Sequence, residues 1–211
     1  MEVDDSYGSF VFLANNATHD PIFLQAPDYK PVGTVTDTTN PLQEESLFDE
    51  IAQIHYHANV AVMLRIGDWL ESLKEKGVYD NTRIIIVADH GRGITTPSFK
   101  DFSDNSVLLG YYNPLLLVKD FDASEALVTD TQFMTNADAP LMAISGLPIS
   151  TTNPFTGKDM VAEVDKSIVN VYYSKASPQS HGVNTFKFDY TQSFSIHDSI
   201  FIEDNWSRLE Q

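Results

Sequence analysis

Apolar runs alternate with long polar stretches along this chain, and the alternation predicts a mixed α/β order. Phe10-Val11-Phe12-Leu13 reads as a buried strand over residues 9–14. Residues 15–45 are polar and carry Pro21, Pro27, Pro31 and Pro41, which predicts a long loop of the kind usually kept for function. Over residues 46–76, Leu47, Ile51, Ile54, Ala58, Val62, Ile66, Trp69 and Leu73 recur at three-or-four spacing, the signature of one apolar helix face. Gly77 suits the position just past that helix, and Lys74 and Lys76 suit the negative end of its dipole. Ile84-Ile85-Ile86-Val87 then predicts a strand at 83–88, apolar at consecutive positions and so buried on both faces.

Beyond it, residues 92–113 read as loop, and Leu115-Leu116-Leu117-Val118 after Pro114 as a further buried strand. A short helix is expected over 136–145, with Asn136 or Asp138 as its cap, Pro140 in its first turn and Gly146 after it. Residues 147–160 are rich in turn formers. The tail alternates short β runs at 168–173, 185–190, 194–196 and 200–202, which predicts a small antiparallel sheet. Strand, loop, helix and strand in succession is the order of a parallel α/β sheet.

Composition narrows the partners. The 211 residues suit one domain or a large part of one, and 42% hydrophobic content is enough for a core. A net charge of −17 argues against phosphate-backbone binding, and so against a nucleic-acid partner, and against an anionic membrane surface. An anionic substrate would need bound cations or local arginines to reverse the field; solubility alone is the competing explanation of the charge. The absence of cysteine excludes disulfides, thiolate zinc sites and cysteine nucleophiles. No run of about 18 apolar residues is present, so a soluble chain is expected. The opening Met1-Glu2-Val3-Asp4-Asp5 is acidic and unlike a signal peptide, and the strand-like run comes so soon that the chain reads as entered midway.

Candidate chemistry gathers at strand ends. The Ile-rich run closes in Asp89-His90-Gly91, and ligands of open α/β sheets bind just beyond the carboxyl ends of the strands. One carboxylate and one imidazole there form a candidate metal-ligand pair; a capping aspartate beside a surface histidine is the plainer alternative. His19, in Asn15-Asn16-Ala17-Thr18-His19-Asp20-Pro21, comes after the first expected strand. If the two strands share one sheet, His19 faces the same mouth as a general acid or a donor to a substrate oxyanion. Arg92 is placed to hold a phosphate or sulfate oxygen, or is simply a surface charge. His181, in Ser180-His181-Gly182, belongs to a loop that would fold back over the site. His55 and His57 lie two apart on the helix and cannot chelate together; His57 is expected near the apolar face as a satisfied core residue, His55 exposed. His197 reads as structural in a tail strand. There is no Gly-x-Ser-x-Gly elbow and no Walker loop.

Taken together, Asn16-Ala17-Thr18-His19-Asp20-Pro21, the helix leading into Gly77-Val78-Tyr79-Asp80-Asn81-Thr82, the stretch from Ile84 to Gly91, and Asn113-Pro114-Leu115-Leu116 resemble the C-terminal half of a sulfatase-like domain of the alkaline phosphatase superfamily. The likeness is to bacterial membrane-anchored members: lipoteichoic acid synthase, phosphoglycerol transferases and phosphoethanolamine transferases. It covers residues from about 8 to 160 and, more loosely, the tail. The resemblance implies a mostly parallel sheet flanked by helices over residues 1–165, a partial α/β domain, with a small antiparallel sheet in a C-terminal subdomain over 166–211. It implies one divalent metal ion (Mn, Zn or Ca) held by Asp89 and His90, with His19 at the substrate phosphate or sulfate; Arg92 and His181 stay candidate substrate contacts on their sequence positions alone.

The family's acidic metal ligand and its Thr, Ser or modified Cys nucleophile belong to an N-terminal half. Neither a Cys-x-Pro-x-Arg nor a Ser-x-Pro-x-Arg signature is present. The expected partners are therefore an anionic ester substrate and the missing N-terminal half of the same domain. Membrane attachment would come only through parent segments absent here, on the extracellular or periplasmic face of a bacterial membrane. The implied activity is hydrolysis of sulfate esters or phosphodiesters, or phospho-alcohol transfer to a cell-envelope glycan or lipid, with this chain inactive alone. The alternative of another class is a non-catalytic binding or structural module that retains the superfamily core.

Overall fold

The computed structural model describes residues 8–20, 22–37, 50–94, 97–99, 101–102, 109–148, 152, 157, 166–173 and 193–210. The chain gathers into two compact units. One comprises Met1–Ile84, Ile94–Lys100 and Lys119–Ser124; the other comprises Ile85–Gly93, Asp101–Val118 and Glu125–Gln211. Helices mix with small antiparallel sheets, and no helix of the described residues is long and apolar enough to cross a membrane.

In the first unit, β1 (Leu24–Gln25) pairs antiparallel with β2 (Lys30–Pro31), so the expected loop over 15–45 contains a hairpin. Tyr29 closes its turn with φ of 51°, and the Gln25 side chain fastens the strand to residues 36 and 37. Its Oε1 accepts from Thr36 N at 2.7 Å, Thr36 Oγ1 at 3.1 Å and Asp37 N at 3.1 Å. The predicted helix is α1 (Glu50–Glu75), and it packs on β1. Its stop is a Schellman motif: Gly77, at φ 68°, donates to Lys74 O at 2.9 Å, and Val78 N donates to Leu73 O at 3.1 Å.

Burial on α1 departs from a single stripe. Ala52, Gln53, Ile54 and His55 are all buried, while Ile51 is exposed. The first turns are thus covered on more than one side, and His55, expected exposed, retains 5% of its accessible surface. His57 is buried as a satisfied residue: Nδ1 lies 3.4 Å from Ala26 N, and Nε2 lies 3.0 Å from Gln53 Nε2 and 3.3 Å from Asp37 O.

The strand expected over 9–14 is not formed. Residues 8–16 have no strand geometry, and Phe10, Val11, Phe12 and Leu13 are 66–79% exposed. An apolar run becomes a strand only when a neighbouring strand satisfies its N–H and C=O groups, and no such neighbour stands among the described residues.

The Ile-rich strand forms as β3 (Ile84–Val87) and the next as β4 (Leu116–Lys119), and the two pair. Ala88 N donates to Leu115 O and Gly91 N to Tyr111 O, each at 2.9 Å. Partner numbers fall as residue numbers rise, so this pairing runs antiparallel. No parallel pair stands among the described residues, and the expected mostly parallel sheet is not seen there. Val87, Leu115 and Val118 are exposed, so burial of both faces, expected from the apolar runs, is only partial.

In the second unit, β5 (Ile168–Val171), β6 (Phe194–His197) and β7 (Trp206–Arg208) form an antiparallel sheet in the order β5-β6-β7, matching the small sheet expected in the tail. Phe133, Phe194 and Ile196 form its buried core, with Tyr112, Val169, Val171, Tyr173, Ile200 and Trp206 against them. The strand expected at 200–202 is instead a turn: Asp198 takes φ of 55°, a short 3-10 helix forms at Glu203–Asn205, and Trp206 Nε1 donates back to Ile200 O at 2.9 Å. The strand expected at 185–190 lies outside the described residues.

The short helix is α2 (Ala139–Ile144), entered through a 3-10 turn at Asn136–Asp138. Asp138, one of the two expected caps, holds the N-cap position of α2, without a side-chain cap bond; the 3-10 turn before it starts at Thr135, whose N and Oγ1 donate to Asp138 Oδ2 at 2.9 and 3.1 Å.

Candidate metal centre at the Asp89-His90 turn

The turn after β3 is held by backbone on one side and packing on the other. Ala88 and Gly91 donate to the 111–115 segment, which fixes both ends of the Asp89-His90 pair. Gly91 is not needed here for a positive φ; it is needed for close approach. A Cβ built on it would lie 2.1 Å from Gly110 O and 2.8 Å from Asn113 O. A Cβ on Gly93 would lie 2.3 Å from the Tyr111 ring. The two glycines let the 3-10 turn at Gly110–Tyr112 close against Gly91-Arg92-Gly93, and this brings the Tyr111 ring to 6.1 Å from that of His90.

Within the turn, one oxygen of Asp89 is occupied locally: Oδ1 accepts from His90 N at 3.0 Å. The other, Oδ2, lies 3.8 Å from His90 Nε2, with the Asp89 side chain 90% and the His90 side chain 47% exposed. His90 Nδ1 lies 2.6 Å from Gly91 O. A carbonyl only accepts, so this contact places a proton on Nδ1, and in the neutral ring the lone pair then falls on Nε2. This is the arrangement by which metal-binding histidines have their tautomer set.

The two donors fit a divalent ion as far as they go. Metal–donor distances of about 2.0–2.2 Å place two ligands of one ion roughly 3.4 Å apart in tetrahedral geometry and about 4.2 Å at most. The observed 3.8 Å lies between these limits. A mixed nitrogen and oxygen pair suits Zn²⁺ or Mn²⁺ better than Ca²⁺, which takes six or more oxygens. Among the described residues no group of three or more His, Cys, Asp or Glu is placed to hold an ion.

Arg92 is exposed next to the turn, and no hydrogen bond or ion pair to a described residue engages it. His19 belongs to the other compact unit, in a turn closed by His19 N donating to Asn16 O at 3.1 Å, with Nδ1 3.3 Å from Asp20 Oδ2. His181 lies outside the described residues. His197 ends β6 opposite Ile168 and is exposed.

Asn136 is a neighbour of the site that sequence reasoning missed. Its Nδ2 donates to Asp89 O at 2.5 Å and lies 3.5 Å from Ala88 O. The residue that anchors it, Asp138, also binds Lys166 Nζ at 2.9 Å. Burial opposes the charge on Asp138, but the Thr135 N–H, Lys166 and the Thr135 hydroxyl together outweigh it and hold the carboxyl below the usual aspartate range. The only sequence signal is polarity at a helix entrance, which reads first as a cap.

The chain matches no family model, no curated protein and no solved structure.

Proposed function

We propose that the Asp89-His90 turn is one half of the metal site of a sulfatase-like enzyme acting on sulfate esters or phosphodiesters, by hydrolysis or by phospho-alcohol transfer at the outer face of a bacterial membrane. The observation that carries this reading is the pair itself: His90 Nδ1 lies 2.6 Å from Gly91 O and Nε2 lies 3.8 Å from Asp89 Oδ2 at a strand end. The resemblance of the flanking segments to the alkaline phosphatase superfamily adds to it. A divalent ion bound there supplies charge neutralisation at the ester oxygens and a lowered pKa for a hydroxyl nucleophile. This chain's own residues supply the rest: Asp89 and His90 hold the ion, Arg92 offers a guanidinium to an ester oxygen, and His19 and His181 are the proposed substrate contacts. The family's acidic ligand and nucleophile have no counterpart in these residues, so the chain alone is expected to show negligible turnover.

Calorimetric titration with Mn²⁺ and Zn²⁺ tests the reading. The chain is expected to bind an ion, and Asp89→Ala and His90→Ala are each expected to abolish the binding. Binding that survives both substitutions, or no binding by the unaltered chain, overturns it and favours the non-catalytic module. Vigorous metal-dependent hydrolysis of nitrophenyl phosphate by this chain would refute the view that the site is incomplete.

A further inference from the structure

We infer that Asn136 is a positioning residue for the candidate metal centre, acting through the backbone of the Asp89-His90 turn. The inference rests on the metal reading above for its functional meaning, but its structural content stands on geometry within one compact unit. One amide group reaches the carbonyls of both Ala88 and Asp89, at 3.5 and 2.5 Å. A primary amide has two N–H donors, so it can bridge two successive carbonyls. That bridge restrains the two peptide units on either side of the Asp89 Cα, and so the direction in which its carboxylate leaves the chain.

Asn136 is itself not free to wander. It opens the 3-10 turn Asn136–Asp138, whose two ends are tied by Thr135 N to Asp138 Oδ2 at 2.9 Å and Asp138 N to Thr135 O at 3.0 Å. Lys166 pins the same aspartate at 2.9 Å. A largely buried ion pair and a capping box thus hold the base of the side chain, and the amide at its tip holds the turn. On the solvent side the Asp89 side chain is 90% exposed, so packing there does little to aim it. Groups that orient metal ligands from behind typically account for 10–100-fold in metal affinity.

The experiment compares the unaltered chain with Asn136→Ala and Asn136→Leu, the second filling the space without restoring a donor. Amide hydrogen exchange at His90 and Gly91 is expected to rise about tenfold in both, while amides of Phe194 and Ile196 in the β5-β6-β7 sheet keep their rates. Mn²⁺ affinity is expected to fall about tenfold, with the thermal midpoint little changed. Unchanged exchange at His90 and Gly91 overturns the inference, and so does uniform acceleration across the molecule, which marks general destabilisation. If the unaltered chain binds no metal, the metal reading fails, but the exchange result still decides whether Asn136 holds the turn. Tighter or equal Mn²⁺ binding in the variants, with exchange raised, shows that the restraint does not serve the ion and overturns the functional part.

Discussion

Gly91→Ala probes the turn most sharply, because the glycine is explained by crowding and not by backbone conformation. The added Cβ would sit 2.1 Å from Gly110 O, 2.8 Å from Asn113 O and 3.2 Å from Asn113 C, all of them backbone atoms. An ordinary carbon–oxygen contact is about 3.3 Å or more, so the closest approach is short by roughly 1 Å. Backbone cannot swing aside as a flexible side chain does, so either the 110–113 segment retreats or the turn rotates. Retreat breaks the 2.9 Å bond from Gly91 N to Tyr111 O, worth about 1 kcal/mol, in addition to an overpacking cost of about 1–3 kcal/mol. A total of roughly 3 kcal/mol lowers the thermal midpoint by about 6–12 °C in a chain of this size. Urea and thermal unfolding monitored by circular dichroism measure it, and metal affinity is expected to fall with it. A change in stability below about 0.5 kcal/mol would show that the segment yields freely, and that the turn is not held as described.

Two further predictions concern titrating groups in the same unit. The Asp138 carboxyl is held below its usual range in the fold, so its stabilisation is full above the ordinary aspartate value and is lost as pH falls through the lower folded one. Asp138→Asn is therefore expected to flatten the loss of urea stability between about pH 5 and 2, and an acid limb unchanged from the parent would contradict the Lys166 and Thr135 contacts. Burial, aided by Tyr173, pushes the Tyr112 hydroxyl up to about 12, so the stability it lends is full below the ordinary tyrosine value and falls as pH rises toward 12. Tyr112→Phe is expected to lessen the alkaline loss of stability, and absorbance titration in the unaltered chain is expected to show one tyrosine ionising late; simultaneous ionisation of all nine tyrosines would refute the half-buried placement.

Local signals in the chain translated well where the physics is local. Gly77 after Leu73 and Lys74 foretold the end of α1, because a left-handed residue is what a Schellman stop requires. The four apolar residues Ile84–Val87 foretold β3, and the tail alternation foretold an antiparallel sheet. What was not legible depends on neighbours. Phe10–Leu13 has the residues of a strand but no pairing partner among the described residues, and residue preference alone cannot supply one. The direction of pairing was also misread: Ala88 with Leu115 and Gly91 with Tyr111 run antiparallel, where the α/β succession predicted a mostly parallel sheet. At the candidate site, Asp89 and His90 were readable as adjacent donor types at a strand end. The contact of the imidazole with the Gly91 carbonyl was not, nor was the bridge from Asn136, which arrives from 47 residues further along the chain. His55 was misplaced because burial of α1 extends over consecutive positions, which no single-face periodicity encodes.

The metal reading stands or falls on whether His90 presents an unprotonated Nε2 beside the Asp89 carboxylate, ready for a divalent ion. Long-range proton–nitrogen correlation of the ¹⁵N-labelled chain at mildly alkaline pH reads this directly. The expected result is a protonated Nδ1 and an unprotonated Nε2 on His90, with Nε2 moving strongly on addition of Zn²⁺ in the parent and not in Asp89→Ala. A proton on Nε2, or a His90 signal indifferent to Zn²⁺, would contradict it.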